Sequence, residues 1–314
     1  MKNSHSKSVF FNANMQIAGT LPYPRTDLAC ESCAASENIP GTVCRRHEKY
    51  GLEITDLKVK NEEGARHTGQ RVGRYTTIFC PPIRYWEEEQ IDNTASVLGA
   101  LLRDYAKTAL GAPATSAVKV LIAGLGNRNI TADAVGPRTV DKITVTGHLK
   151  DEDEIFEKVG CCRIFAIHPG VQGQTGIEAA HLIQSAAAAL QPDIVVIVDA
   201  LAARSTSRLA ATIQITDTGI RPGSGIGSHS EEISRDTVGC AVIAVGVPTI
   251  VDSSTLVYDA LDRAGIKEIS EPLRVILQNE NSFFVSPRDS DILIEEISTV
   301  LSKGINKAFF AFWA

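Results

Sequence analysis

Apolar residues along this chain form short continuous runs in some places and show helical spacing in others. Aliphatic and β-branched residues dominate 119–122 and 193–198, and the second run is typical of a strand that is buried on both faces. Residues 134–145 and 176–190 instead carry apolar side chains at helical intervals. Because strands and helices alternate in this way, we predict an α/β fold, with a doubly wound, mostly parallel sheet and helices on both faces.

The same patterns separate an N-terminal region from a core. The alternating segments 52–60 and 71–79 predict an antiparallel hairpin, and 87–110 predicts a helix. We expect residues 28–113 to form this hairpin and helix region, packed on an α/β catalytic core at 114–314. Residues before about 50 predict irregular or short helical structure. The remaining predicted elements are strands at 163–167, 211–215 and 241–245 and helices at 254–264 and 290–310.

Asp133 follows the first of these strands. The strand stops at Gly124 and Gly126, and Asp133 comes where the next helix begins. Ligands of open α/β sheets bind in the crevice at the carboxyl ends of the strands, so a carboxylate here is a candidate for chemistry. The alternative is that Thr131 or Asp133 only caps the helix.

A second aspartate, Asp199, is expected to end the strand that begins at residue 193. If the two strands are neighbours, Asp133 and Asp199 lie close together, and two carboxylates so placed share one proton. Peptide hydrolysis can use that arrangement, because the ionised member activates a water and the protonated member polarises the scissile carbonyl.

Composition narrows the function classes. A net charge of −6 argues against a nucleic-acid partner, since phosphate contacts need clustered lysine and arginine. No apolar run approaches the roughly 20 residues that span a bilayer, and the N-terminus lacks a secretory signal, so we expect a cytoplasmic protein with no membrane partner. The glycines at 223–227 lack the lysine of a phosphate loop, and no cofactor is expected.

Seven cysteines without a secretory signal indicate a reducing compartment. Cys30, Cys33, Cys44 and His47 have residue types that suit tetrahedral zinc. The spacing is permissive, and free thiols are the interpretation that we favour, so no metal is assigned.

Several long sequence blocks resemble the germination protease family of spore-forming bacteria, and the resemblance covers roughly residues 20–305. The blocks are Gly124-Leu-Gly-Asn-Arg-Asn-Ile-Thr-Ala-Asp133, Pro169-Gly-Val-Gln-Gly-Gln-Thr-Gly-Ile-Glu178, Val198-Asp-Ala-Leu-Ala-Ala-Arg-Ser205 and Ile215-Thr-Asp-Thr-Gly-Ile-Arg-Pro-Gly-Ser-Gly225. The resemblance implies an endopeptidase that degrades small acid-soluble spore proteins in the forespore or spore core. It also implies a zymogen, a homotetramer, and Asp133 and Asp199 as the two catalytic aspartates.

The resemblance further implies that the enzyme cuts itself at a site that mimics its substrates, an acidic residue followed by a hydrophobic one. Residues 25–31 have that form, and we predict cleavage between Asp27 and Leu28, which removes residues 1–27 as a pro-segment. The alternative is a helix start with Thr26 or Asp27 as its cap, and both interpretations can hold in different states.

Four further residues are candidates for lining the cleft: Asn127, Asn129, Arg204 and Asp217. Arg204 could hold a carboxylate or form an ordinary salt bridge, and Asp217 could be a turn residue. The turn at Gly124 with its downstream acid also resembles hydrogenase-maturation peptidases and their fold. That alternative is a metal-dependent maturation peptidase, in which Asp133, Asp199 and a histidine such as His168 are metal ligands.

Overall fold

A single mixed sheet runs through the computed structural model, which describes residues 26–33, 39–81, 86–115, 117–149, 160–224, 230–266, 268–277 and 283–310. Within these residues the sheet has nine strands. They are β1 (Thr42–Lys49), β2 (Leu52–Val59), β3 (Gly73–Phe79), β4 (Lys119–Gly124), β5 (Arg163–Ile167), β6 (Ile194–Ala203), β7 (Thr212–Thr216), β8 (Ala241–Asp252) and β9 (Phe284–Val285). Their order is β1-β2-β3-β7-β8-β6-β4-β5, and β9 pairs with β8.

Helices connect and cover these strands. The α-helices of the described residues are α1 (Ala29–Cys33), α2 (Glu62–Thr68), α3 (Glu88–Leu110), α4 (Val135–Val140), α5 (Gln172–Thr175), α6 (Ala179–Leu190), α7 (Arg235–Val238), α8 (Ser253–Arg263), α9 (Glu271–Leu277) and α10 (Ser290–Phe309). Short 3-10 helices lie at Thr131–Asp133 and Thr206–Arg208. None of the helices in this part of the chain combines the length and the apolar character that crossing a bilayer requires.

The predicted α/β class is confirmed. Strands β8, β6, β4 and β5 are parallel to one another, while β1, β2, β3 and β7 pair antiparallel and make the sheet mixed. The central run of β6 is fully buried from Ile194 to Val198, as its apolar sequence predicted.

Helices lie on both faces of the sheet. One face, which includes Val196 and Val198, packs against α3, α4 and α10. The other face includes Val195 and Ile197 and packs against α6. Side chains alternate between the two faces along a strand, so residue 199 belongs to the face that α6 covers.

The N-terminal hairpin is part of this same sheet. Strands β2 and β3 pair antiparallel as predicted, and β3 continues the sheet by pairing with β7. The connection between them is helix α2, which Asn61 caps by accepting a hydrogen bond from the Gly64 N–H. The prediction of irregular or short helical structure was wrong for β1, because this edge strand is largely exposed and its polar residues hide the alternating pattern.

Three predicted boundaries of the core were also wrong, and one of them is the end of the strand at 241–245, since β8 continues to Asp252. Helix α4 ends at Val140 and is followed by a turn at Asp141 and Lys142, because Ile143 is then buried against the core and the Thr144 N–H donates to the Asn306 side chain and not to this helix. Asp199 does not end its strand. Strand β6 continues to Ala203 because β8 runs beside it as far as Val251.

Candidate active site

Asp199 lies within β6, next to a glycine of the neighbouring strand. Its partner on β8 is Gly246, and the partner of Gly246 on β7 is Gln214. These three residues form one row across the sheet and share the face that α6 covers. A side chain on Gly246 would overlap Leu201, so glycine at this position leaves room for the Leu201 side chain to pack over β8.

Asp133 reaches the same region from the end of β4. The chain leaves the sheet at Leu125, whose N–H donates to the Val198 carbonyl at 2.8 Å. It then turns through Gly126, at φ +110°, where a Cβ would overlap the Asp133 carbonyl oxygen. The Asn127 N–H donates to Asp133 Oδ2 at 2.7 Å, and the 3-10 helix that carries Asp133 lies against β6.

The environment favours the neutral form of Asp199. Burial, the charge of Asp133 and that of Asp27 raise the pKa of Asp199 well above its ordinary value, against a weaker opposite effect of the Ala200 N–H bond. Burial also raises the pKa of Asp133, although the Asn127 N–H favours the ionised form. Asp199 is 5% exposed and Asp133 is half-buried. The arrangement therefore offers a protonated carboxyl group beside one that ionises more readily.

The segment that contains Asp27 lies on this face of the sheet, alongside β6. The Asp27 N–H donates to the Ala202 carbonyl at 3.0 Å, and the Ala202 N–H donates to Asp27 Oδ2 at 2.9 Å. The hydroxyl of Ser224 donates to Asp27 Oδ1 at 2.9 Å. Both oxygens of this carboxylate are thus held three residues along β6 from Asp199.

Leu28 is fully buried. It packs with Leu201, Ala203 and Val251, which belong to the ends of β6 and β8. Helix α1 begins at the next residue, and the Leu28 N–H donates to the hydroxyl of Thr26. The predicted helix start is therefore present, and the same residues present the peptide bond between Asp27 and Leu28 to the sheet.

Glu31 anchors the other end of this segment. Its carboxylate accepts hydrogen bonds from the N–H groups of Arg204 and Ser205 at 2.9 and 3.0 Å and from the Thr26 hydroxyl.

Comparison with known proteins identifies the family. The family model described as germination protease matches residues 26–274. The chain belongs to the germination protease family. It is 36% identical to a germination protease of Caldanaerobacter subterraneus over 90% of this chain and 93% of that protein, and 37% identical to one of Clostridium perfringens over 90% and 94%. A third relative, from Priestia megaterium, is 37% identical over 82% of this chain and 73% of the relative.

The family establishes that the chain is a peptidase of spore germination, which confirms the family resemblance and the prediction of an enzyme. Among solved structures, the hydrogenase maturation protease HycI of Thermococcus kodakarensis matches 66% of this chain and 99% of its own, with a TM-score of 0.35 and 14% identity.

The other residues predicted to line the cleft lie in different parts of the structure. Asn127 Oδ1 accepts from the Asn129 N–H and from Gln174, which stiffens the turn before Asp133. Arg204 forms a salt bridge with Asp262 at 3.5 Å. Asp217 directly follows β7, and its carboxylate accepts a hydrogen bond from the Arg74 N–H at 2.8 Å. This contact agrees with a turn residue, which was one of the two roles that the sequence left open.

A cavity of about 360 Å³ lies beside the turn at Gly126. The side chains that line it include Arg128, Asn129, His168 and Gln174. His168 is exposed.

The zinc pattern is spread over separate elements. Cys30 is buried beside Thr77 of β3 and its pKa is raised by burial to about 11, while Cys44 lies on β1. His47 is three residues further along β1, which places it on the opposite face of the strand from Cys44. The Cys33 side chain lies outside the described residues. Among the residues described, no three His, Cys, Asp or Glu side chains gather as a metal site.

Three residues of the site, Gln214, Gly246 and Ser224, were not among the sequence candidates. Gln214 is the one polar residue between Ile213 and Ile215 in a predicted strand, and a polar residue inside a buried run is a usable signal. Gly246 follows a predicted strand, where glycine indicates a close approach of another chain segment. Ser224 gives no such signal, because its contact with Asp27 depends on a turn far away in sequence.

Proposed function

We propose that this protein is an aspartic endopeptidase in which Asp133 and Asp199 share one proton. Asp199 is the protonated member, because its burial and the nearby charge of Asp133 raise its pKa the more strongly. Asp133 is the ionised member, because the Asn127 N–H stabilises its negative charge. The raised pKa of Asp199 beside Asp133 supports this division of roles.

Hydrolysis then follows from the two protonation states. Asp133 removes a proton from water, and the water oxygen bonds to the carbonyl carbon of the scissile peptide. The carbon–nitrogen bond breaks as the proton of Asp199 passes to the leaving nitrogen. The products are a new carboxyl group and a new amine, and Asp133 is left protonated while Asp199 is left ionised. Loss of the Asp133 proton and return of one to Asp199 restore the starting state.

The proposal includes self-processing between Asp27 and Leu28, which removes residues 1–27. The observation that carries it is the position of Asp27, which lies on the same face of the sheet as Asp199 and is hydrogen-bonded through its own N–H and its carboxylate to Ala202 of β6. A substrate can occupy the same place only after residues 26–28 leave it. Occupation of the site by the chain's own segment therefore gives a physical basis for a zymogen.

We further propose that the substrates are small acid-soluble spore proteins, cut after an acidic residue and before a hydrophobic one. The site supports that preference, since the Ala202 N–H and the Ser224 hydroxyl hold the Asp27 carboxylate and Leu28 fills an apolar pocket. The net charge of −6 makes direct binding to nucleic acid unfavourable. Such an enzyme acts on these proteins in the cytoplasm of the forespore or in the spore core.

The proposed assembly is a homotetramer. Large apolar side chains are exposed on α9 at Val275 and Ile276 and near β9 at Phe283 and Phe284. Subunit contacts commonly bury side chains of this kind.

The test is to follow the full-length chain over time by mass spectrometry, alone and with an acid-soluble spore protein. The wild-type protein is expected to yield a chain that begins at Leu28 and to cut the spore protein after acidic residues. Asp133→Asn and Asp199→Asn should each reduce both cleavages at least about 1,000-fold, because the dyad needs both carboxyl groups. Asp236→Asn, an exposed carboxylate on α7, is the matched control and should cleave normally.

Two outcomes would contradict the proposal. One is normal processing by either dyad variant that folds as the wild type does. The other is a wild-type chain that keeps residues 1–27 while it cleaves spore protein at full rate.

A further inference from the structure

We propose that Gln214 is a further catalytic residue, which binds the carbonyl oxygen of the scissile peptide and stabilises the negative charge that develops there. This inference rests on the proposed self-processing at Asp27 and Leu28. Gln214 is 6% exposed, and both ends of its amide contact the same short segment. Its Nε2 donates to the Asp27 carbonyl oxygen at 2.8 Å, and its Oε1 accepts from the Ala29 N–H at 2.7 Å.

The two hydrogen bonds hold the chain on both sides of Leu28. One is made to the carbonyl that precedes Leu28 and the other to the N–H that follows it. A single rigid amide therefore sets both the position and the direction of the scissile bond. Holding a reacting group in one orientation removes an entropic part of the barrier to reaction.

The position of Gln214 in the sheet places this amide opposite Asp199. Gln214, Gly246 and Asp199 occupy one row on β7, β8 and β6, so roughly 10 Å separates the two outer Cα atoms at the usual strand spacing. Asp27 bonds to Ala202 on β6 and to Gln214 on β7, and it thus bridges the intervening β8. The scissile carbonyl, held by Gln214, therefore lies on the face of the sheet that carries Asp199.

The chemistry of the step requires a donor at this place. When water adds to the Asp27 carbon, the carbonyl oxygen gains negative charge before the bond to the Leu28 nitrogen breaks. A buried N–H that already points at this oxygen stabilises that charge without reorganising. Gln214 stays neutral and keeps both its protons, so the proton transfers remain those of Asp133 and Asp199.

A purely structural role would also explain the two bonds, since Gln214 could simply hold α1 on the sheet. The two roles make different predictions for the rate of cleavage when the segment stays docked. Docking has other contributions, from the buried Leu28 and from the Asp27 carboxylate on Ala202 and Ser224. Loss of the Gln214 donor is therefore expected to slow cleavage more than it loosens the segment.

The experiment uses full-length chains with Gln214→Met, which removes both hydrogen bonds at similar volume, and Gln214→Glu, which keeps an acceptor for the Ala29 N–H. The first-order rate of appearance of the chain that begins at Leu28 is measured from pH 5 to 8. Docking is measured by hydrogen–deuterium exchange in peptides that cover 26–31 and 200–205. The matched control is Gln191→Glu, because Gln191 is exposed and lies between α6 and the start of β6.

Gln214→Met is expected to slow cleavage about 100-fold or more while the exchange protection of the segment is largely kept. Gln214→Glu should be slow at pH 8 and recover as the pH falls, because only the protonated carboxyl can donate to the carbonyl. Gln191→Glu should follow the wild-type pH profile.

Cleavage by both Gln214 variants at the wild-type rate, or a loss of rate that only matches the loss of protection, would overturn the role of Gln214 and leave the aspartate dyad standing. A wild-type chain that cuts neither itself nor a spore protein would overturn the proposed function, and this inference with it. If Gln214→Met fails to fold, the pH profile of Gln214→Glu decides between the two roles.

Discussion

At the scale of single residues, the site depends on an aspartate kept away from water. Asp199 lies in a strand whose preceding five residues are fully buried, and Asp199 itself is only 5% exposed. Burial and the nearby charge of Asp133 both disfavour its ionised form. Burying this carboxyl group lowers the free energy of unfolding, by an amount that depends on pH.

Asp199→Asn is expected to raise stability at neutral pH. Because the pKa of Asp199 is raised in the folded protein, the stability associated with its proton is fully present below about pH 3.9, the pKa of an unfolded aspartate, and is lost as the pH rises toward the folded value. An asparagine at this position does not titrate, so the variant does not lose stability in this way as the pH rises. The advantage of the variant should grow by up to about 1.4 kcal/mol per pH unit in that window.

Urea unfolding of unprocessed chains between pH 4 and 8 measures this difference. Asp236→Asn serves as the control, with an exposed carboxylate and no expected trend. A free energy of unfolding that is equal for Asp199→Asn and wild type at every pH would show that the buried carboxyl group carries no such cost.

At the scale of elements, the connection between β4 and the 3-10 helix positions Asp133. Gly126 has a φ of +110°, and a side chain there would overlap the Asp133 backbone. The turn therefore needs glycine for two reasons, its backbone conformation and the absence of a Cβ.

Gly126→Ala is expected to abolish self-processing and to lower the free energy of unfolding by about 3 kcal/mol, from strain and overlap together. Gly69→Ala is the matched control, since Gly69 also has a positive φ but has open space around it, and it should cost only about 1 kcal/mol and leave processing intact. Chemical unfolding and mass spectrometry measure the two effects. Equal costs for the two alanines would contradict the role of the turn.

The elements that the sequence predicted well are those whose burial is set by their own pattern. The strand at 163–167 and the helix at 290–310 match β5 and α10 within one residue, because their apolar spacing is unambiguous. Strand β1 was missed because it is exposed at an edge, and β6 was predicted too short because its pairing with β8 extends it. Pairing of that kind depends on residues far away along the chain.

At the scale of the whole molecule, the order of the strands decides what surrounds Asp199. Asp133 and Asp199 could be paired from the sequence because the parallel strands β4 and β6 are neighbours and a general rule places ligands at their carboxyl ends. Gln214 could not be placed in the same way, because β7 enters the sheet antiparallel beside β8. Sequence order does not reveal that insertion.

The fold also determines how processing should depend on concentration. The Asp27 peptide lies on β6 and β7 of its own chain, so cleavage is expected to be unimolecular. A 100-fold dilution of freshly purified full-length protein should leave the half-time of processing unchanged, as followed by mass spectrometry. A half-time that lengthens in proportion to dilution would instead mean that one molecule cuts another.

The hydrogen bonds of Asp27 to β6 and β7 of its own chain therefore bear on when maturation begins. If the proposed self-processing is unimolecular, maturation begins when the chain folds, and its rate is the same whether the cell makes few copies or many.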